Sequence, residues 1–100
     1  MKGTTLEDAA IVMAPDDTVA TAISELAADR TIARGDDQTI TLTEPIQFGH
    51  KFALIGHEPD DEVVKYGAVI GRATTTIRPG DWVHTHNVES IRGRPTEDRP

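Results

Sequence analysis

Past residue 35 the chain is a succession of short apolar and β-branched runs broken at close intervals by Gly and Pro corners. Gly35-Asp36-Asp37 reads as a turn, and Thr39-Ile40-Thr41-Leu42-Thr43 alternates apolar with polar residues as a half-buried strand does. Pro45 and Gly49 punctuate, Lys51 to Ile55 reads as a further strand, and Gly56 and Pro59 end it. Val63-Val64 leads into Tyr66-Gly67-Ala68-Val69-Ile70-Gly71, where two glycines four apart within a strand pattern mark a bulge or a close approach of two backbones. Pro79-Gly80-Asp81 forms a tight turn ahead of a final strand from Trp82 to Val88. No internal repeat is visible. A chain cut this way folds as a small β unit that turns back on itself.

The N-terminal third reads differently. Ala10 to Met13 fits a first strand, and Pro15 ends it. Asp16 or Asp17 then offers a cap to free N–H groups, and Val19, Ile23, Leu26 and Ala27 recur at helical spacing, with Thr21, Ser24 and Glu25 on the other side. The expectation is three turns of amphipathic helix, and hence an α+β domain: a mainly-β body with one amphipathic helix near the N-terminus. That domain is expected over residues 1–92, and the polar stretch 93–100, with two prolines, reads as a disordered tail.

Composition removes several classes of function. One hundred residues make one small domain with one modest core. Ten basic against 17 acidic residues leave a net charge of −7, the wrong sign for a phosphate backbone, and four aromatics are too few for a base-stacking platform. Nucleic acid is therefore not expected as a partner. The absence of cysteine rules out a disulfide framework, a thiolate metal site and a cysteine nucleophile. No apolar stretch nears the roughly 20 residues that span a bilayer, and residues 2–14 lack the apolar run of a secretion signal, so no membrane role and a cytoplasmic location are expected. Aspartate outnumbers glutamate and only three lysines stand against seven arginines, a balance that suits a salt-adapted host.

Chemistry concentrates in two places. Three of the four histidines fall in Phe48-Gly49-His50-Lys51-Phe52-Ala53-Leu54 and in Trp82-Val83-His84-Thr85-His86-Asn87. Imidazole titrates near neutrality and is a common metal ligand, so histidines at strand ends are candidate chemistry.

These two runs, with Val64-Lys65-Tyr66-Gly67-Ala68-Val69-Ile70-Gly71-Arg72-Ala73 between them and Ile77 and Gly80 beyond, resemble the SAF-type domain of the altronate/galactarate dehydratase family. The likeness covers roughly residues 9 to 90 and is strongest from 46 to 88. It implies a β-clip fold, a sugar-acid or related hydroxy-acid substrate, and lyase chemistry that is often metal-dependent. It also implies a large dehydratase subunit that performs the elimination and that this small domain accompanies. The small subunit of sulfolactate sulfo-lyase is similar in the same way.

Set against that chemistry, Lys51 could pair with a substrate carboxylate as a point charge, and His50 could donate or accept a proton beside it. His84 and His86, two apart on a strand, would share a face and could hold one metal; Asn87 adds an amide for substrate. The implied cofactor is a divalent metal (Fe, Mn or Mg) shared with the large subunit, since two histidines fall short of the usual three ligands. Neighbouring residues on a strand point to opposite faces, so His50 and Lys51 enter one pocket only if Gly49 bends the chain. Structural readings stand beside these: His84 and His86 as surface residues against the indole of Trp82, His57 as a solvent-exposed residue of an acidic turn, Asp16 and Asp17 as helix caps, and Tyr66, Gly67 and Gly71 as packing residues. Two functions remain open. One is the small accessory subunit of a sugar-acid dehydratase or sulfolactate sulfo-lyase; the other is a non-catalytic ligand-binding or assembly module of the same fold. A third idea places a partner surface around Phe48, Phe52 and Trp82.

Overall fold

A computed structural model describes residues 3–34 and 38–90; the turn expected at Gly35–Asp37 and the tail expected at 93–100 lie outside them. The described residues form ten short strands and no helix: β1 (Thr4–Leu6), β2 (Ala10–Val12), β3 (Val19–Ala22), β4 (Thr31–Arg34), β5 (Gln38–Thr41), β6 (Lys51–Ala53), β7 (Glu62–Lys65), β8 (Ala68–Ala73), β9 (Trp82–Val83) and β10 (Val88–Ser90). Every strand pairing is antiparallel. One sheet runs β1-β2-β3-β6-β9, a second runs β10-β8-β7, and β4-β5 stands as a hairpin.

The helix expected over residues 19–27 is not there, so the α+β expectation is corrected to all-β. Val19 to Ala22 is instead a central strand, in register with Ala53, Phe52 and Lys51 on one side and with Ala10 and Ile11 on the other. The helical stripe was an accident of spacing. Ile23 and Ala27, which it would have buried, are exposed, whereas Ala20 and Ala22 are buried. Two sheet neighbours satisfy the backbone of this segment, and that tertiary pairing outweighs a short apolar periodicity.

Asp17 consequently caps no helix. Its carboxylate is 3% exposed and accepts three backbone N–H bonds: Ala14 and Tyr66 donate to Oδ2 at 3.0 Å each, and Gly67 donates to Oδ1 at 2.9 Å. Tyr66 and Gly67 are the two-residue tip of the β7-β8 hairpin, both with positive φ, so one carboxylate ties that tip to the turn before β3.

An internal repeat emerges in space that the sequence concealed. Four chain reversals share one geometry and lock in pairs. Leu26 and Ile46 exchange both backbone hydrogen bonds, and so do His57 and Ile77. Three residues after each comes a positive-φ residue (Asp29, Gly49, Asp60, Gly80) whose N–H bonds the strand end of the partner reversal. The span 22–50 thus recurs as 53–81: Ala22 matches Ala53, Asp29 matches Asp60, Thr43 matches Thr74, Ile46 matches Ile77 and Gly49 matches Gly80. The β4-β5 and β7-β8 hairpins occupy equivalent places between the reversals. Only some of the glycines are sterically required. A Cβ on Gly80 would strike the Thr41 carbonyl, and one on Gly71 would meet the Glu89 carbonyl of β10, the close approach that the glycine spacing suggested.

Burial follows the same division. One core holds Leu26, Ile32, Leu42, Ile46 and Phe52, with Trp82 packed against it; a second holds Val19, Ala53, Val63, Ile77 and Val83. His57 sits in the interior where its repeat mate is Leu26. It is 2% exposed, so the expectation of a solvent-facing histidine is corrected. Its Nε2 lies 2.9 Å from Thr18 Oγ1, which also accepts the Val64 N–H, and its Nδ1 is buried without a partner among the described residues. Burial pushes the imidazole pKa below its ordinary 6.5; the Ile55 backbone and the Asp61 carboxylate oppose this and do not prevail.

Two stability predictions follow from these buried polar groups. Asp17→Ala strands three backbone donors and should cost about 3 kcal/mol in urea unfolding, with Asp17→Asn losing roughly half as much; full stability of the alanine variant would refute the clamp. Below about pH 6.5 the unfolded chain protonates His57 before the folded one does, so the unfolded state binds more protons and stability falls on acidification. His57→Leu should reduce the loss of unfolding free energy between pH 7.5 and pH 5, measured in parallel with the parent; an unchanged loss would contradict this origin.

Candidate functional site

The site is the edge of the five-stranded sheet, where β6 pairs with β9. Lys51 lies in register with Val83, and Phe52 with Trp82. Continuing that register by one step sets His50 opposite His84, and their rings lie parallel, 5.7 Å apart at an interplanar angle of 5°. Trp82 completes the group: its indole stacks on His50 at 5.6 Å and on His84 at 4.9 Å, and His86 tilts against it at 5.0 Å. The two histidine-bearing runs thus meet in one imidazole–indole cluster.

Its supports are local. The expected strand from Trp82 to Val88 is two strands with a turn between: β9 ends at Val83, residues 84–87 turn, and β10 begins at Val88. Asn87 makes that turn. It is 5% exposed, its Oδ1 accepts the His84 N–H at 3.0 Å and its Nδ2 donates to the Trp82 carbonyl at 2.8 Å. Both polar ends of the amide therefore hold backbone, and what Asn87 does for the site is to position His84. Glu44 accepts the Trp82 N–H at 3.1 Å and so occupies an edge donor of β9.

One hydrogen bond sets the chemistry of His50. Trp82 Nε1 donates to His50 Nδ1 at 3.1 Å. Indole N–H is a donor only, so the neutral ring carries its proton on Nε2. In this tautomer His50 offers a donor outward, while the nitrogen that could accept a proton is already engaged. His84 Nδ1 is 3.2 Å from the Thr85 hydroxyl.

Two clefts flank the cluster. One, about 220 Å³, is lined by Glu44, Pro45, Gln47, His50 and Trp82. The other, about 290 Å³, is lined by Lys51, Ile70, Val83, His84, Thr85 and Val88, among others. His50 and Lys51 therefore open into different hollows, as the alternation of a strand requires; His84 lines the cleft of Lys51 and stacks on His50 and Trp82 of the other. The residues do not fit a metal held by this chain alone: among the described residues no group of three His, Asp or Glu side chains could hold an ion. Of the apolar surface expected around Phe48, Phe52 and Trp82, only Phe48 is prominent, at 67% exposure; Phe52 is fully buried in the core. No helix among the described residues is long and apolar enough to cross a membrane.

The class defined by this fold and site is a small all-β domain that presents an imidazole–indole cluster and a lysine cleft at a sheet edge. The model of the altronate/galactarate dehydratase SAF domain matches residues 8–91, and the chain belongs to that family. It is 42% identical over 74 residues to altronate dehydratase of Escherichia coli (strain K12), covering 74% of this chain and 15% of that protein. It is 42% identical over 60 residues to (2R)-sulfolactate sulfo-lyase subunit alpha of Chromohalobacter salexigens, covering 56% of this chain and 64% of that subunit. A subunit alpha of the same name from Paracoccus pantotrophus is 38% identical over 56 residues and covered to 84%. The chain thus spans a small part of the dehydratase and most of the lyase subunits.

The sequence missed Trp82 as a partner of His50, since nothing in two runs 30 residues apart announces an indole-to-imidazole bond. The prediction is direct. In ¹⁵N-edited spectra of the neutral protein, His50 should show the Nε2–H tautomer, and Trp82→Phe should shift it toward a mixture; a predominantly Nδ1–H ring in the parent would overturn the assignment.

Proposed function

We propose that this chain is the small subunit of a hydroxy-acid lyase, acting in the cytoplasm and lending residues to an elimination site that a large subunit completes. The imidazole–indole cluster beside a lysine cleft, at an open sheet edge of an altronate/galactarate dehydratase SAF domain, carries the reading. The relatives named subunit alpha support the division into subunits.

Elimination β to a carboxylate needs a base for the proton beside the carboxylate, a donor for the departing group, and positive charge against the enediolate. Lys51 supplies an ammonium for the carboxylate. His50, with Nε2–H directed away from Trp82, supplies a donor to an oxygen that gains charge. The proton-abstracting base belongs to the large subunit, because the accepting nitrogen of His50 is engaged. A partner closing over β9 would join the two clefts into one enclosure and exclude water, which an open edge cannot do. A divalent metal in such a joint site would draw most of its ligands from the partner, with His84 and His86 as the contribution from this side.

The substrate is a sugar acid of the altronate or galactarate type, with sulfolactate as the second reading because two relatives are sulfo-lyase subunits. The test is co-expression with a large dehydratase-like subunit, followed by assays for a 2-keto-3-deoxy acid from altronate or galactarate and for sulfite from sulfolactate. The complex should be active where this chain alone is inert. His50→Ala should lower kcat about a hundredfold, and Lys51→Ala should act mainly by raising KM about tenfold. Undiminished turnover in both variants would leave only the ligand-binding or assembly role of the fold.

A further inference from the structure

Lys65 has no part in the cluster, yet it lies beside the cleft that Lys51 lines. It ends β7, opposite Ala68 of β8, and its ammonium sits 5.2 Å from the ring centre of Tyr66. The hollow it lines, about 340 Å³, shares Ile70 with the cleft of Lys51. Burial first, then repulsion from Lys51, holds the Lys65 pKa below the usual lysine range, against the opposing pull of Asp17. Asp17 makes no direct contact with either ammonium: its oxygens accept three backbone N–H groups. In a chain of net charge −7 with three lysines in all, two of them flank one apolar residue, and neither forms an ion pair among the described residues.

Placing two like charges at adjoining hollows is unfavourable unless something of opposite sign enters between them. The cleft of Lys51 suits a particular visitor. Ile70, Val83 and Val88 make its wall apolar, which strengthens an ammonium–anion contact and receives a short carbon chain. We propose that Lys51 and Lys65 jointly bind the acid group, a carboxylate or sulfonate, of a small hydroxy acid whose carbon chain rests on Ile70 and Val88. This deepens the functional reading above and rests on it for the identity of the substrate; the new element is Lys65 as the second cation.

The experiment follows the lysine side-chain and Ile70 methyl signals of the full chain by NMR. Lactate is the carboxylate probe and 2-hydroxyethanesulfonate the sulfonate probe, with sodium chloride at matched ionic strength as the control. One or both probes should shift Lys51, Lys65 and Ile70 saturably, and the tighter of the two identifies the acid group. Lys51→Gln and Lys65→Gln should each weaken binding about tenfold, the lower end of what a charge-assisted hydrogen bond contributes, while the methyl spectrum reports that the variants remain folded. Shifts no larger than those of chloride, or undiminished affinity in Lys65→Gln, would overturn the proposal. The two readings fail separately. Saturable binding at the lysines with no turnover in the assembled complex removes only the lyase; His50-dependent turnover with no contribution from Lys65 removes only the lysine pair.

Discussion

A strand of two to six residues cannot hold itself in place, and every strand of this domain is that short. What fixes them is the reciprocal backbone bonding between chain reversals, Leu26 with Ile46 and His57 with Ile77. Each lock closes two reversals at once and delivers the flanking strands to the sheet in register. Polar backbone that would otherwise be buried without partners is satisfied there. Because both locks have the same geometry, the strands leaving them, β6 and β9, arrive side by side, and that adjacency makes the site.

The repeat also shows where the molecule departs from its own pattern. Asp61 and Asp81 follow the positive-φ residues of the second pair of reversals, and each accepts a backbone N–H three residues earlier, from Glu58 and Arg78. The equivalent positions in the first pair are Arg30 and His50. His50 therefore stands where the second pair places a turn-capping carboxylate, and its ring engages Trp82 instead. At the interior position the exception is His57 among Leu26, Ile46 and Ile77, a polar group whose burial weakens the fold in acid. Two histidines depart from the repeat, one toward the sheet edge and one toward the core, and only the first reaches the surface.

The electrostatic layout follows the same economy. Carboxylates near the site are largely engaged with backbone: Asp17 at the hairpin tip, Glu44 on the edge strand, Asp81 on its turn. They shape the scaffold, and Glu44 also lines the cleft of His50. An acidic protein can in this way keep two lysines in neighbouring, largely apolar hollows, because its negative charge is local and hydrogen-bonded.

Much of the β character was legible in the residues. Alternation in Thr39–Thr43, the Gly-Pro corners, and the paired histidine runs are local signals, and local signals survive in one dimension. So were the family and the residues on which chemistry would be sought, since these are matters of residue identity and spacing. The strand at Val19–Ala22 was not legible: four residues between two neighbours take their conformation from those neighbours, and their own spacing mimicked a helix. Nor was the internal repeat, whose few shared residues mean little until the hydrogen bonds that they form are seen. The sequence by itself determined which side chains were on hand and that the chain must fold back repeatedly. The tertiary structure alone decided which nitrogen of His50 carries its proton, which hollow each cation lines and which acids hold the scaffold, because each of these is set by partners distant along the chain.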